Sequence, residues 1–133
     1  MTGFLDTNLI VRYLVGAPPA LAERARAIIE ADIRLLLTSA VIAEAAYVLM
    51  SVYGVPRAVV VDHLVTFIQR ENIVPFEMDK GVLVQGLMLC RPSRRVSFVD
   101  ALLWTVARSS QLTRVYSLDE CFPSTGIEVR DHP

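Results

Sequence analysis

Leu35-Leu36-Leu37-Thr38-Ser39-Ala40-Val41-Ile42-Ala43-Glu44-Ala45-Ala46-Tyr47-Val48-Leu49-Met50 reads as a short apolar strand, a hydroxyl residue, then a helix, in a chain with no internal repeat. The leucine triplet is too short for a helix and reads as a buried strand. Thr38 or Ser39 supplies the oxygen that caps the first free N–H groups of the helix. Ala, Leu and Met are good helix formers, and no Gly or Pro appears before Gly54. Glu44 is the single charge between Arg34 and Arg57. On a helix its neighbours three and four positions away are Ala40, Val41, Tyr47 and Val48, all apolar. Glu44 is therefore expected on a buried surface, where an ionised carboxylate costs several kcal/mol unless a cation meets it.

The same alternation runs outward in both directions. Gly3-Phe4-Leu5 is a second apolar run, expected as a buried strand that ends at Asp6. Leu9, Ile10, Tyr13 and Leu14 give helical spacing over residues 7–15, with Gly16 as the stop. Pro18-Pro19 opens an amphipathic helix carrying Leu21, Ala25, Ile28 and Ile29 on one face. Downstream, Pro56 starts a helix and residues 73–76 form a strand, which Pro75 places at an edge or an end. Asp79 caps a helix through about Leu89, and Ser97 opens the helix containing Asp100 and Trp104. Val115-Tyr116-Ser117 is a strand closing at Asp119, and residues 127–129 are the last one. His63, Phe98 and Trp104 are expected in the core. The alternation predicts one domain over residues 1–133, an α/β fold built as a three-layer α/β/α sandwich with a central, mostly parallel sheet.

Composition narrows the function classes. The net charge is −1, so the totals do not demand a nucleic-acid partner, and twelve of the thirteen cations are arginines. Hydrophobic residues make up 53% of the chain, which favours a protein that covers surface against a partner. No apolar run is long enough to span a bilayer, and no basic segment precedes an apolar core at the N-terminus, so neither a membrane protein nor a signal peptide is expected. Cys90 and Cys121 make no disulfide framework, and a reduced, cytoplasmic setting is the default.

Asp6 is the only charged side chain from Met1 through Val11, and Asp100 the only one between Arg95 and Arg108. With Glu44 and Asp119 they make four acids at the ends of strands or in the opening turns of helices. In a parallel sheet those positions share one rim, where ligands bind. Convergent carboxylates repel unless protonated or bridged by a hard cation, and an all-oxygen set suits Mg²⁺ or Mn²⁺. Such an ion takes phosphate oxygens as its remaining ligands and activates water, the chemistry of phosphodiester hydrolysis. Plainer readings stand beside this one. Ser97-x-x-Asp100 matches a capping box, Asp6 fits a helix N-cap, Asp119 fits a turn, and Glu44 fits an ion pair with a distant arginine. Arg91, Arg94 and Arg95, just ahead of Asp100, are either a solvated loop or an RNA backbone contact. Arg12, Arg108 and Arg114 are weaker candidates for that contact. A dinucleotide site is disfavoured, since no Gly-x-Gly-x-x-Gly follows a strand. A phosphorelay receiver is disfavoured because Lys80 is the only lysine.

Phe4-Leu5-Asp6-Thr7-Asn8-Leu9-Ile10-Val11-Arg12-Tyr13-Leu14, Ser39-Ala40-Val41-Ile42-Ala43-Glu44, Phe98-Val99-Asp100-Ala101-Leu102-Leu103 and Ser117-Leu118-Asp119-Glu120-Cys121-Phe122, in that order, resemble the PIN-domain family, and within it the VapC-like toxins of toxin–antitoxin pairs. The resemblance implies a divalent-metal-dependent endoribonuclease with Mg²⁺ or Mn²⁺ held by Asp6, Glu44, Asp100 and Asp119. It places Thr7 or Asn8, and Ser117, behind those acids as groups that orient carboxylates or water. It also implies a homodimer and a VapB-type antitoxin that lies across the toxin and reaches the acidic site. Many members carry an acid where this chain has Cys121, which leaves Asp119 the least secure ligand and Glu120 as its substitute or helper. A domain that binds metal and partner without cutting, and an RNA-processing nuclease with no antitoxin, remain the alternatives.

Overall fold

The computed structural model describes residues 1–133. Its contacts divide the chain into two compact units, Met1–Phe76 and Glu77–Pro133. The first alternates helices with short parallel strands and the second follows two helices with two parallel strands, so the α/β fold expected from the sequence is what the chain adopts. The strands form two sheets, three strands in the first unit and two in the second. No helix is long and apolar enough to cross a membrane.

The first unit runs β1 (Thr2–Phe4), α1 (Thr7–Val15), α2 (Pro19–Ile29), β2 (Arg34–Leu37), α3 (Ser39–Ser51), α4 (Arg57–Ile68) and β3 (Ile73–Pro75). Its strands lie in the order β1-β2-β3, with Gly3 opposite Leu35 and Leu36 opposite Val74. Pro75 ends an edge strand, where its missing N–H interrupts no ladder. The Leu5 N–H donates to Leu36 O at 2.9 Å and the Phe76 N–H to Leu37 O at 2.8 Å, which aligns the three strand ends on one rim. The chain leaves that rim through Asp6 into α1 and through Thr38 into α3. Thr38 is the residue that caps α3, its hydroxyl accepting from the Val41 N–H at 3.3 Å. Gly16 ends α1 with φ of 74°, a left-handed conformation that suits glycine. Asn72 ties the α2–β2 turn to β3 by donating its amide to the carbonyls of Ile29, Ala31 and Ile33. Ile10, Ile29, Leu37, Ile42, Val60, Val61, Leu64, Ile68 and Ile73 are the most deeply buried large side chains of this unit.

The second unit contains α5 (Lys80–Leu89), α6 (Phe98–Ser109), β4 (Arg114–Tyr116) and β5 (Glu128–Arg130). Asp79 and Ser97 cap the two helices, accepting from the N–H groups of Val82 and Asp100 at 2.9 and 3.0 Å. Gly86 lets α5 approach α6 closely, because a Cβ there would run into Thr105 Oγ1 and lie 3.1 Å from Ala101 O. Trp104 is buried against Ala107, Val115 and Phe122, and its indole N–H donates to Thr125 O at 2.9 Å. That bond and the Phe122 contact anchor the 117–127 loop, which carries Asp119, to α6.

Several local expectations need correcting. Residues 2–4 of β1 are exposed rather than buried, while Leu5 just beyond them is buried as expected; Phe4 packs edge-on against Phe76 at 5.1 Å. Glu44 is exposed, since α3 turns Ala40, Glu44, Tyr47 and Ser51 outward and buries Ile42, Ala45, Ala46 and Leu49. His63 is exposed, while Phe98 and Trp104 are buried as expected. β4 ends at Tyr116, so Asp119 sits in a turn beyond the strand rather than at its last residue.

Candidate active site

Asp6 and Glu44 share a cavity of about 310 Å³ in the first unit, with Thr7, Asn8, Arg12 and Tyr53 among its walls. Asp6 occupies the N-cap position of α1 in extended conformation, φ −96° and ψ 155°, yet its side chain makes no capping hydrogen bond. The capping explanation for Asp6 is thereby removed, and its carboxylate is free for other ligands. Thr7, the first residue of α1, is buried and donates its hydroxyl to Glu44 Oε2 at 3.0 Å. This fixes one oxygen of Glu44 and leaves the other uncommitted. Asn8 lies one position further along the same turn and lines the cavity without a hydrogen bond of its own.

The arginine explanation for Glu44 fails on the same geometry. Arg12 lines the cavity, but its Nη1 donates to the Tyr53 hydroxyl at 3.0 Å and to Ala17 O at 3.4 Å. Neither Asp6 nor Glu44 makes an ion pair. Two acids and one arginine thus border one cavity without pairing.

In the second unit Asp100 and Asp119 form a second acidic pair. Asp100 lies in the first turn of α6, where its N–H donates to Ser97 Oγ at 3.0 Å. Burial pushes its carboxyl above the ordinary value of 3.8, and the neighbouring charge of Asp119 pushes further in the same direction. A hydrogen bond from Ser97 opposes the shift, while hydrogen-bond contact with Asp119 adds to it. The turn reading of Asp119 is correct as far as it goes. Its Oδ1 accepts from the Cys121 N–H at 2.8 Å, and its own N–H donates to Ser117 Oγ at 3.0 Å. Those bonds hold the carboxylate beside Asp100 rather than exhausting it. Cys121 contributes through its backbone; its thiol is free and half-buried. Glu120 is exposed.

The structure thus brings Asp6, Thr7, Asn8 and Glu44 together in one unit, and Asp100, Asp119 and Ser117 in the other. No group of three or more His, Cys, Asp or Glu side chains is arranged to hold a metal ion. The donor chemistry nevertheless fits a hard divalent cation. Each pair offers carboxylate and hydroxyl oxygens, and the two carboxyl groups of Asp100 and Asp119 repel until a proton or cation intervenes. In the Arg91–Arg95 loop, Arg94 and Arg95 are exposed and Arg91 is half-buried, with the Arg95 N–H turned onto Ser93 Oγ at 3.2 Å. Two contributions were not legible in the sequence. Ser97 reads only as a helix start, and Tyr53 carries no signal that it anchors Arg12.

The sequence matches the family model of the PIN domain over residues 3–128, nearly the whole chain. The chain belongs to the PIN-domain family. PIN domains are in general metal-dependent nucleases, hydrolases that bind RNA. No curated protein and no solved structure matches the chain.

Proposed function

We propose that this PIN domain is a Mg²⁺- or Mn²⁺-dependent endoribonuclease, and that it acts as the VapC-like toxin of a cytoplasmic toxin–antitoxin pair. The observation that carries the reading is the Asp100–Asp119 contact, two carboxyl groups held together by Ser97, Ser117 and the Cys121 N–H although they repel. Structural acids are ordinarily paired with cations; a pair of acids maintained against repulsion is a place prepared for one. Asp6, Glu44 and Asp100 would be the residues that hold the ion in this reading, with Asp119 the least secure member of the set. A divalent ion held there would supply charge neutralisation at the phosphoryl group and a means of activating water for hydrolysis. Thr7 orients Glu44 through its 3.0 Å hydrogen bond, and the Ser117 hydroxyl sets the turn that aims Asp119. Arg94 and Arg95, with Arg91, contact the RNA backbone. The family match runs through both compact units, which supports treating residues 1–133 as one PIN domain.

Exposed apolar side chains support a protein partner. Tyr47 and Val52 are 66% and 69% exposed in the first unit, and Val99 is 63% exposed in the second. A homodimer contact and a VapB-type antitoxin would cover such residues. RNA cleavage is expected to require Mg²⁺ or Mn²⁺ and to be lost in Asp6→Asn and Asp100→Asn while the circular dichroism spectrum is kept. Cleavage that persists in excess EDTA refutes the metal mechanism. Growth arrest on expression, relieved by Glu44→Gln and by a small DNA-binding protein encoded next to the gene, tests the toxin role. Cleavage without arrest would instead identify an RNA-processing nuclease.

A further inference from the structure

A second cavity of about 300 Å³ lies between α1 and α2 and shares two wall residues, Asn8 and Arg12, with the Asp6–Glu44 cavity. Its other walls are Leu9, Leu21, Arg24, Ala25 and Ile28, so it has two guanidinium groups and no acid. Leu21 and Ile28 are 41% and 40% exposed, although both belong to the apolar face of α2. The two arginines of α2 differ. Arg26 pairs with Glu30 at 3.0 Å, one turn away, whereas Arg24 has neither ion pair nor hydrogen bond. Arg12, at the junction of the two cavities, spends only Nη1, on the neutral acceptors Ala17 O and Tyr53 OH.

Unneutralised guanidinium groups beside an exposed apolar floor, continuous with paired acids, match one ligand class well. We propose that the groove between α1 and α2 is a track for single-stranded RNA leading into the Asp6–Glu44 cavity, with phosphates on Arg12 and Arg24 and bases against Leu21 and Ile28. The inference rests on the nuclease reading and adds to it where one arm of the substrate runs. Arg12 suits the junction because its bond to Tyr53 fixes one edge of a planar fork whose remaining donors can meet a phosphate. The floor is aliphatic, so bases of any sequence meet it by burying apolar surface rather than by aromatic stacking. An acidic amphipathic helix would meet the same charges, but it gives no reason for the groove to open onto two catalytic acids.

The experiment uses the full chain carrying Asp100→Asn, so that RNA is bound without being cut. Binding of a short single-stranded oligoribonucleotide is followed by fluorescence anisotropy over a salt series, alone and with Arg24→Gln or Arg26→Gln added. Losing one phosphate contact lowers the slope of log K against log salt by about 0.7 for single strands. That drop, with several-fold weaker binding, is expected for Arg24→Gln and not for Arg26→Gln. Equal slopes in all three proteins, or equal drops in both variants, would overturn the proposal. An unchanged RNA slope with loss of a co-expressed protein partner would assign the groove to protein and overturn it too. If the protein carrying neither Asp100→Asn nor a groove substitution fails to cleave RNA while the Arg24 effect holds, the groove stands and the nuclease reading falls. If it cleaves and Arg24 is neutral, the groove alone falls.

Discussion

Replacing Asp119 by Asn should stabilise the metal-free protein while abolishing RNA cleavage. Asparagine keeps the side-chain oxygen that accepts from the Cys121 N–H, so the turn survives and only the charge is lost. The charge removed stands in hydrogen-bond contact with Asp100. Two unit charges at ~4 Å in a water-like dielectric repel by about 1 kcal/mol. Asp119 is exposed and Asp100 only half-buried, so the water-like limit applies and a larger interior figure does not. For a chain of this length about 1 kcal/mol moves the melting temperature by roughly 4 °C. The pH dependence comes from the raised carboxyl of Asp100. Its native pKa lies above the unfolded value of 3.8, so the native protein binds the extra proton. That contribution is fully present below 3.8 and is lost as pH rises through the raised native value. The variant should therefore melt close to the parent protein in acid and above it at neutral pH, in EDTA and at low salt. Saturating Mg²⁺ should reverse the order, because binding at a hundredfold over Kd contributes about 2.7 kcal/mol to the protein that keeps its ligand set. Differential scanning calorimetry reads all of these. A variant that melts with or below the parent in EDTA across this pH range would show that the two carboxylates do not oppose each other, and the metal reading would lose its main support.

Three further outcomes are expected. Gly86→Ala should destabilise the protein by about 1–3 kcal/mol, read by urea denaturation, because its methyl runs into Thr105 Oγ1 and Ala101 O; adding Thr105→Ala should return part of that loss. Asn72→Leu removes the donor shared by the carbonyls of Ile29, Ala31 and Ile33 and should cost about 2–3 kcal/mol, measured the same way; a cost within error of zero would mean that water replaces it. Thr7→Val keeps the shape of a buried side chain but leaves Glu44 Oε2 without its donor, and should lower cleavage about 10–100-fold with little change in melting temperature.

Much of the fold was legible because its signals are local. The hydroxyl of Thr38 and the carboxylate of Asp79 cap their helices through bonds three residues long, and Gly16 stops α1 in the left-handed conformation that glycine permits. What failed depended on partners distant in sequence. Apolar composition made Gly3, Phe4 and the face bearing Glu44 look buried, but a strand or helix face with nothing packed over it does not become buried by being apolar, whereas Leu5 is buried as expected. Asp119 was the hardest to read. A turn residue and a charged ligand are the same amino acid in the same spacing, and only the contact with Asp100, nineteen positions earlier, separates them. Division into two compact units likewise has no composition break to announce it, since no linker lies near Phe76.

Glu44 changes meaning once its surroundings are known. As an acid on a buried face it required a cation merely to exist there, and any arginine would have served. Exposed, it has no such need, so nothing about folding demands a partner for it. Arg12 lines the same cavity and bonds to a tyrosine and a carbonyl instead. An arginine held back from two nearby acids by neutral acceptors keeps both the acids and itself unneutralised. A phosphodiester needs this separation: carboxylates that gather a cation on one side, and a guanidinium that receives the phosphate beside it on the other. Pairing Arg12 with Glu44 would satisfy both charges and leave the cavity with nothing to offer a substrate. Tyr53→Phe removes the hydroxyl that holds Arg12 away. If the separation is functional, this single change should raise the apparent KM for RNA more than it lowers kcat, and equal effects on both, or none, would refute it.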